Sequence, residues 1–252
     1  KAEIKDASHL AGQGAREVED MIREEIGSKR IRVAQTGLAG MNLVRFANIT
    51  NNLGHFNGRD GFGALMGSKN VRAVAALGRE KIQFFDPEFL RKTAKDYART
   101  FKDNPQGKTL FVYGTTIFCE ILSEAGALPI NNFRRTKLDD SKPVSGDTYN
   151  ELLLKQRKGC YFCPIRCKRG IALEHPKYGV DSRYGGPEYE TIAALGTNLN
   201  ILDLKAIAKA NEICNRYCMD TISAGLVIAF ACECFEKGVI TRADTGAPDL
   251  RF

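Results

Sequence analysis

Three cysteines stand close together near the middle of the chain. Cys160, Cys163 and Cys167 follow the spacing C-x2-C-x3-C within the segment GCYFCPIRCKRG. Thiolates this close in sequence can converge on one inorganic centre if the chain loops around it, and iron–sulfur clusters and zinc are the two candidate occupants. The spacing favours a cluster over zinc, because His175 is the only nearby imidazole and its flanking residues do not form a knuckle. Three buried thiols on a helix are the least favoured interpretation, because Pro164 interrupts the segment.

Basic side chains surround these cysteines, namely Lys158, Arg166, Lys168 and Arg169. A four-iron cluster with four thiolates carries net negative charge, so cationic neighbours would stabilise its reduced form and raise its reduction potential. A solvated basic loop is an equally weighted alternative. The remaining cysteines are interpreted as small buried apolar side chains: Cys119, Cys214, Cys218, Cys232 and Cys234.

A glycine-dense stretch runs from Gly54 to Gly67 and holds five glycines in 14 residues. Such a loop lets backbone N–H groups approach a phosphate closely, and Arg59 and Lys69 could add charge-assisted hydrogen bonds. The spacing is not that of a P-loop, and a turn-rich connection between strands is the alternative. The glycine density together with Arg59 favours anion binding.

Glu190 is the second acid of the segment GPEYE and follows a Gly-Gly-Pro turn. A carboxylic acid held beside a cofactor can relay a proton, and burial would raise its pKa toward neutrality. The local sequence alone favours the plainer interpretation, a glutamate at a helix N-terminus stabilised by the helix dipole.

Composition restricts the class of protein. The chain has 252 residues, of which 43% are apolar and 27% charged, which is typical of a soluble globular protein. We find no apolar run long enough for a membrane span and no secretory signal, so eight cysteines indicate thiolate ligands or buried thiols rather than disulfides. The net charge of +7 is diffuse, which disfavours nucleic-acid binding and fits an acidic ligand or partner. The first residue is not methionine, and we expect a fragment of a longer protein.

The elements that position these residues form an α+β pattern with a boundary near Asp86-Pro87. Residues 1–86 are predicted to be rich in strands, and residues 87–252 to be mainly helical. The predicted strands and buried runs are Ile31–Gln35, Leu43–Ile49 and Val71–Leu77. The predicted helices are Ser8–Glu25, Glu88–Arg99, Thr115–Ala125, Tyr149–Gln156, Leu204–Tyr217 and Asp220–Lys237, with loops at 127–148 and 171–189.

Several of these segments, taken together, resemble the aldehyde:ferredoxin oxidoreductase family. They are GRDGFGALMGSKNVRAVAALG, the cysteine run, GPEYE, and LGTNLNI followed by NEICNRYCMDTISAG. Their order and spacing match across nearly the whole chain.

The resemblance implies the C-terminal part of a mixed β-sheet domain that binds pterin, followed by a helical domain that carries a 4Fe-4S cluster. The implied cofactors are a tungsten or molybdenum bis-pterin, the cluster, and a magnesium ion bridging the pterin phosphates. The implied activity is oxidation of aldehydes to carboxylic acids in an anaerobic cytoplasm. Electrons would pass through the cluster to ferredoxin or partner subunits, in a homodimer or a hetero-complex.

The resemblance also assigns residues. Cys160, Cys163 and Cys167 resemble three cluster ligands, with the fourth expected beyond Phe252. Glu190 resembles a glutamate beside the metal.

On the glycine stretch, Arg59 resembles an arginine that contacts a pterin phosphate. The carbonyl of Asp60 resembles a magnesium ligand. Gly61 and Gly63 belong to the same cofactor loop.

A second pterin loop resembles Asn215–Asp220, including Met219. Asp220 matches the family pattern, but Asn215 replaces an acid and Cys218 replaces a glycine. The resemblance implies no E-x-x-H metal site of the kind that some members carry, because Lys209 and Glu212 occupy its positions.

Three alternatives stay open. The chain could belong to the tungsten subunit of a benzoyl-CoA reductase-like complex that reduces an acyl substrate. It could be an iron–sulfur electron-transfer subunit without pterin, or a zinc-binding interaction module.

Overall fold

The computed structural model describes residues 2–78, 80, 82–246 and 249–252, and it confirms the α+β class. The helices are α1 Ala15–Ile26, α2 Leu38–Met41, α3 Phe62–Ser68, α4 Pro87–Thr100, α5 Pro105–Tyr113, α6 Phe118–Glu124, α7 Gly146–Leu152, α8 Tyr189–Leu195, α9 Leu204–Tyr217, α10 Thr221–Glu236 and α11 Arg242–Thr245. The strands are β1 Arg32–Thr36, β2 Ile49–Asn51, β3 His55–Asn57, β4 Ala73–Ala76, β5 Leu154–Lys158 and β6 Lys168–Ile171. Short 3-10 turns lie at Ser8–Leu10, Phe101–Asp103, Gly114–Ile117, Lys142–Val144, Ser182–Tyr184 and Thr197–Leu199.

The first sheet has the strand order β3-β2-β1-β4, and its pairings among the described residues are antiparallel. Strand β1 is central, with Ala34 opposite Asn51 of β2 and Val74 of β4. Helix α1 packs on this sheet through Val18 and Ile22, which form a small apolar core with their neighbours Leu10, Ile31 and Val33. The sheet thus holds the β2–β3 turn and the glycine stretch at one end.

The larger core lies among the helices that follow. It buries side chains from α7, α8, α9 and the preceding loop: Leu128, Ile130, Val144, Tyr149, Leu153, Ile192, Leu204 and Ile207. Strands β5 and β6 form an antiparallel hairpin on this core, and the three cysteines of the candidate cluster lie in or beside its connection. In the described part of the chain, no helix is both long and apolar enough to cross a membrane.

The two parts of the chain are joined by backbone hydrogen bonds at the start of α10. Asp220 N–H donates to Phe46 O at 2.9 Å, and Asn48 N–H donates to Cys218 O at 2.8 Å. Ion pairs add to this contact, because Arg183 reaches Asp20 at 2.8 Å. These contacts fix the loop before α10 against the segment that precedes β2.

The segment Leu43–Ile49, predicted to be a strand or a buried run, is not a strand, because β2 begins only at Ile49. Leu43 adopts a left-handed conformation (φ 57°), and Val44 N–H turns back to Ala39 O at 2.9 Å. Leu43 is 54% exposed in this turn, and the segment becomes buried only at Ala47, which pairs with Met219 in an isolated bridge. A short apolar run gives the same signal whether it forms a strand or a turn that packs on another part of the chain.

Two helix predictions also need correction. The helix predicted at Ser8–Glu25 begins only at Ala15, because Gly12 turns with φ 76° and Gly14 is the N-cap. The helix predicted at Tyr149–Gln156 ends at Leu152, and the following residues form β5. Strand β5 depends on pairing with β6, a contact that local periodicity does not encode.

Candidate cofactor site

A cavity of about 480 Å³ lies where three segments meet. The β2–β3 turn and glycine stretch supply Gly54 and Arg59. The cysteine hairpin supplies Cys167, the last turn of α9 supplies Asn215, and the N-cap of α10 supplies Asp220. The structure therefore brings together residues that the sequence singled out on three separate segments.

Arg59 lies at the mouth of this cavity, with 58% of its side chain exposed. Its Nε donates to Asp220 Oδ2 at 3.3 Å. Asp60 and Gly61 follow in left-handed conformations, with φ 69° and 71°. With Arg45, these residues line a second space of about 490 Å³. Two guanidinium groups beside an exposed backbone turn form a suitable environment for an anionic group.

Gly63, unlike Asp60 and Gly61, does not border a cavity. It is buried in α3, and a Cβ at this position would meet Asn48 O at 2.4 Å. Neither cavity is lined by Gly63. Its observed contact is the close packing of α3 on the backbone before β2.

Asp220 is the N-cap of α10, and its carboxylate accepts hydrogen bonds from Ser223 N–H at 3.0 Å and Ser223 Oγ at 2.6 Å. It is buried and lines both spaces. Asn215 is also buried and donates from Nδ2 to Tyr184 O at 3.0 Å, while Met219 lines the larger cavity. Capping fixes the Asp220 carboxylate in the orientation that meets Arg59.

The cysteine connection is open to solvent on one side. Cys160 is exposed, whereas Cys163 and Cys167 are half-buried. Phe162 and Arg166 adopt left-handed conformations (φ 56° and 51°), which fold the connection into a compact turn. Burial raises the pKa of Cys167, and the neighbouring carboxylate and thiols of Glu188, Cys163 and Cys160 raise it further.

No three metal-ligating side chains of the described residues lie close enough together to hold a single metal ion. The cysteine triad is included in this finding. Its three thiols are electrostatic neighbours on one turn, and three sulfur donors without an imidazole match the ligand chemistry of an iron–sulfur cluster.

Lys168 joins the cysteine hairpin to the sheet. Its Nζ donates to Gly54 O at 2.5 Å and lies 3.1 Å from His55 Nδ1. Burial, together with the charge of Lys168, lowers the pKa of His55, so the imidazole is held neutral near neutral pH. The residue after Cys167 therefore contacts the β2–β3 turn directly.

Arg169 is 2% exposed and lines the cavity. Its guanidinium donates only to backbone carbonyls: Nε to Cys167 O at 3.0 Å, Nη1 to Val112 O at 3.2 Å, and Nη2 to Leu110 O at 2.9 Å and Phe111 O at 3.2 Å. Gly114 makes room for it, because a Cβ there would meet Arg169 Nε at 2.5 Å. A cation at the C-terminus of α5 is favoured by the helix dipole.

The two acids of GPEYE point to different places. Glu190 is exposed in the first turn of α8 and does not line the cavity. Glu188 is the N-cap residue of α8 and lines the cavity. Thr115 Oγ1 donates to Glu188 Oε2 at 2.5 Å, and burial raises the pKa of this carboxyl group.

Sequence reasoning missed Glu188 and Asn48 as cavity residues. Both acids lie in the segment GPEYE, and only the packing of the folded chain places Glu188 at the cavity and Glu190 in solvent. Asn48 lines the cavity, and its buried Oδ1 has no hydrogen-bond partner within the described part of the chain. A buried polar atom left unpaired beside a cavity is available to a bound ligand.

Comparison with known proteins defines the class. Residues 1–78 match the family described as the N-terminal domain of aldehyde ferredoxin oxidoreductase, and residues 92–252 match domains 2 and 3 of the same enzyme. The chain therefore belongs to the aldehyde ferredoxin oxidoreductase family, whose curated members are oxidoreductases.

Individual relatives support this family assignment. The chain is 39% identical over 252 residues to the tungsten-containing aldehyde ferredoxin oxidoreductases of Thermococcus kodakarensis and Pyrococcus furiosus, covering 99% of this chain and 41% of each relative. It is also similar to a solved structure, the active-site complex of benzoyl coenzyme A reductase with 1,5-dienoyl-CoA. The TM-score is 0.76 and the identity 28%, with 97% of this chain and 38% of that chain covered. The chain thus spans about two fifths of the length of these relatives.

Proposed function

We propose that this chain contributes half of the cofactor site of a tungsten or molybdenum pterin oxidoreductase that oxidises aldehydes to carboxylic acids. One observation carries the proposal: Arg59, Asp220 and Cys167 line the same cavity although they come from three distant segments. A pterin site beside a cluster site requires this arrangement, because electrons leave the pterin through the cluster.

The predicted residues of the glycine stretch each have a role in this proposal. Arg59 holds an anionic phosphate of the pterin, and the backbone of Asp60 and Gly61 borders the same space, where a magnesium ion would lie. Gly63 supports this loop through its packing in α3. The metal–pterin would supply the two-electron redox chemistry.

On the opposite wall, polar groups would orient the pterin ring. Asn215 and the unpaired Oδ1 of Asn48 are amide groups at the cavity, and Asp220 is fixed by its capping hydrogen bonds. Met219 contributes apolar surface. The loss of charge at Asn215, relative to the acid of the family pattern, would leave hydrogen bonding as its contribution.

The cysteines Cys160, Cys163 and Cys167 would bind a 4Fe-4S cluster, with a fourth ligand from outside this chain's described residues. The electron would pass onward to ferredoxin or a partner subunit. Eight free cysteines among the described residues fit a reducing cytoplasm. The division into 1–86 and 87–252 is part of the same proposal.

A proton must also leave the substrate during aldehyde oxidation. Glu188 is a half-buried acid on the cavity wall whose pKa is raised by burial, so it can hold that proton at its carboxyl oxygens. Glu190 was the predicted relay and is exposed, so the two acids form a matched pair. Glu188→Gln is expected to lower turnover by about 10²-fold or more, with Glu190→Gln near wild type. A larger loss of turnover in Glu190→Gln than in Glu188→Gln would instead assign the proton relay to Glu190.

A benzoyl-CoA reductase-like reaction is the second candidate, because the solved complex of that enzyme shares the fold. The higher identity to aldehyde enzymes favours aldehydes. Assays of the full-length protein with an aldehyde and with an aromatic acyl-CoA distinguish the two reactions.

The test of the cofactors is elemental and spectroscopic. Full-length protein is expected to hold tungsten or molybdenum together with iron, whereas iron alone would support an electron-transfer subunit without pterin. Cys163→Ser is expected to abolish the visible absorption and reduced-state EPR signal of the cluster, since a hydroxyl is a poor soft-metal ligand. Cys234→Ser is the control, because Cys234 is half-buried like Cys163 but lies on α10. Unchanged iron content in Cys163→Ser would overturn the cluster assignment.

A further inference from the structure

We propose that Glu212 is a positioning residue of the cofactor site. Its buried carboxylate holds Lys209 and Arg216, and through them it fixes the backbone of residues 179–186, the wall segment, at one side of the cavity. Glu212 lines neither of the two cavities, so it acts on a bound ligand through these neighbours. The proposal rests on the function proposed above, because the wall segment belongs to the same cofactor site.

The carboxylate of Glu212 is completely buried on α9. Lys209 Nζ donates to its Oε2, and Arg216 Nη2 lies 2.6 Å from its Oε1. The two cations are at positions i−3 and i+4 relative to Glu212, a spacing at which helical side chains are neighbours. A buried carboxylate is costly unless it is paired, and here two cations of the same helix compensate it.

Both cations also contact the wall segment. Lys209 Nζ donates to Gly179 O at 2.9 Å, so one ammonium group joins the Glu212 carboxylate to the start of the wall segment. The guanidinium of Arg216 lies over the ring of Tyr184, 6.0 Å from its centroid, which is the limit of a cation–π contact. The carboxylate therefore determines where both cations can reach the wall segment.

The wall segment borders the cavity together with two amide side chains of α9. Asn215 Nδ2 donates to Tyr184 O at 3.0 Å. Asn211 Nδ2 donates to Gly185 O at 3.5 Å. A shift of the wall segment away from α9 would release both amides from their present orientation. The residues of these two elements that line the cavity are Arg183, Tyr184, Gly185, Gly186, Asn211 and Asn215.

Helix α1 holds the other side of the wall segment. Arg183 pairs with Asp20 at 2.8 Å, and Arg16 N–H donates to Tyr184 Oη at 3.1 Å. The wall segment is thus held between α1 and α9. Weakening the contacts with α9 is therefore expected to let the wall segment move without detaching it from the fold.

The first measurement is retention of the bound metal. Full-length protein is dialysed, and the tungsten and molybdenum that remain per chain are followed by elemental analysis. Glu212→Gln leaves Lys209 and Arg216 without their counter-charge. The metal is expected to leave this variant about tenfold faster than the wild type, an effect typical of residues that orient the groups around a metal site.

A matched control tests whether any ion pair that joins a helix to a loop has the same effect. Glu233 on α10 accepts a hydrogen bond from a loop, from Asn132 Nδ2 at 2.6 Å, and pairs with Lys237 of its own helix. It lines neither cavity. Glu233→Gln is expected to retain the metal like the wild type, and loss as fast as from Glu212→Gln would overturn the proposal.

A second variant separates position from stability. Lys209→Met/Glu212→Leu/Arg216→Met replaces the buried ion network with apolar side chains, a change that often leaves stability unchanged or higher. The melting temperature of this variant is expected to match the wild type. The metal is expected to leave as fast as from Glu212→Gln, because the hydrogen bond to Gly179 O is absent. Retention equal to the wild type would overturn the proposal.

Hydrogen exchange measures the wall segment in metal-free, full-length protein. The amides of Val180, Tyr184 and Gly186 donate to backbone carbonyls, so they are expected to exchange slowly in the wild type. Glu212→Gln is expected to increase exchange in the wall segment alone. An equal increase throughout the chain, or no increase, would overturn the proposal. A wild type that binds neither tungsten nor molybdenum contradicts the proposed function, whereas the exchange pattern still decides the role of Glu212.

Discussion

Helices α2 and α3 approach each other so closely that their glycines have no space for a side chain. A Cβ added at Gly67 would lie 2.0 Å from Gly40 O and 2.5 Å from Gly40 C. Both obstacles are backbone atoms, so rotation of a side chain cannot relieve them. We therefore predict that Gly67→Ala separates the two helices.

The size of the effect follows from two opposing contributions. Alanine favours the helical conformation of α3 over glycine by about 1 kcal/mol. Overpacking costs about 1–3 kcal/mol, and contact with rigid backbone places this case at the upper end. The net loss of stability is therefore about 2 kcal/mol, which lowers the melting temperature of a chain of this size by about 4–8 °C.

The assay is thermal unfolding followed by circular dichroism, with urea midpoints as a second measure. Gly78→Ala is the control, because a Cβ there would have no neighbour within 4 Å and its backbone is not left-handed. We expect the Gly78→Ala variant to melt within about 2 °C of the wild type. Equal melting temperatures for the two variants would refute the argument that backbone contact, rather than glycine content, controls stability here.

Four further outcomes are expected. Burial raises the pKa of Glu188 above its usual 4.5, so the folded state binds more protons than the unfolded state. The free energy of unfolding therefore falls as pH rises from 4.5 through the pKa of the folded state. Glu188→Gln should remove this decrease from a plot of melting temperature against pH, and parallel plots for the variant and the wild type would contradict it. Arg169→Met should lower the free energy of unfolding in urea by about 3 kcal/mol, because four carbonyl groups lose a charged donor. A decrease below about 1 kcal/mol would count against a stabilising role for these hydrogen bonds. Arg59→Ala should weaken pterin retention about tenfold, measured as tungsten lost on dialysis, whereas full retention would leave Arg59 a surface residue. Burial raises the pKa of Cys119 to about 12, so iodoacetamide at pH 8 should label Cys160 in metal-free protein and spare Cys119, as read by mass spectrometry.

Elements with complete local signals were predictable. Helix α9 is confirmed at Leu204–Tyr217, because Asp203 caps it and its apolar residues recur with helical spacing. Asp220 likewise begins α10 as its N-cap. These features depend on neighbours along the chain, and therefore the sequence records them directly.

Features that depend on distant partners were not predictable in the same way. Strand β5 reads as LKQRK, without apolar alternation, and exists because β6 pairs with it. The choice between Glu188 and Glu190 depends on how α8 packs beside Thr115, which lies 73 residues earlier than Glu188. The cysteine triad was identifiable from spacing, but its open side was not, because exposure is a property of the folded chain.

The hydrogen bond between Arg59 and Asp220 joins residues 161 positions apart. During synthesis, the first wall of the cavity would leave the ribosome long before the loop that completes it. A cavity assembled from such remote segments does not exist on the nascent chain until α10 has begun to emerge. A cofactor that binds as proposed could therefore enter this site only after most of the chain has been synthesised.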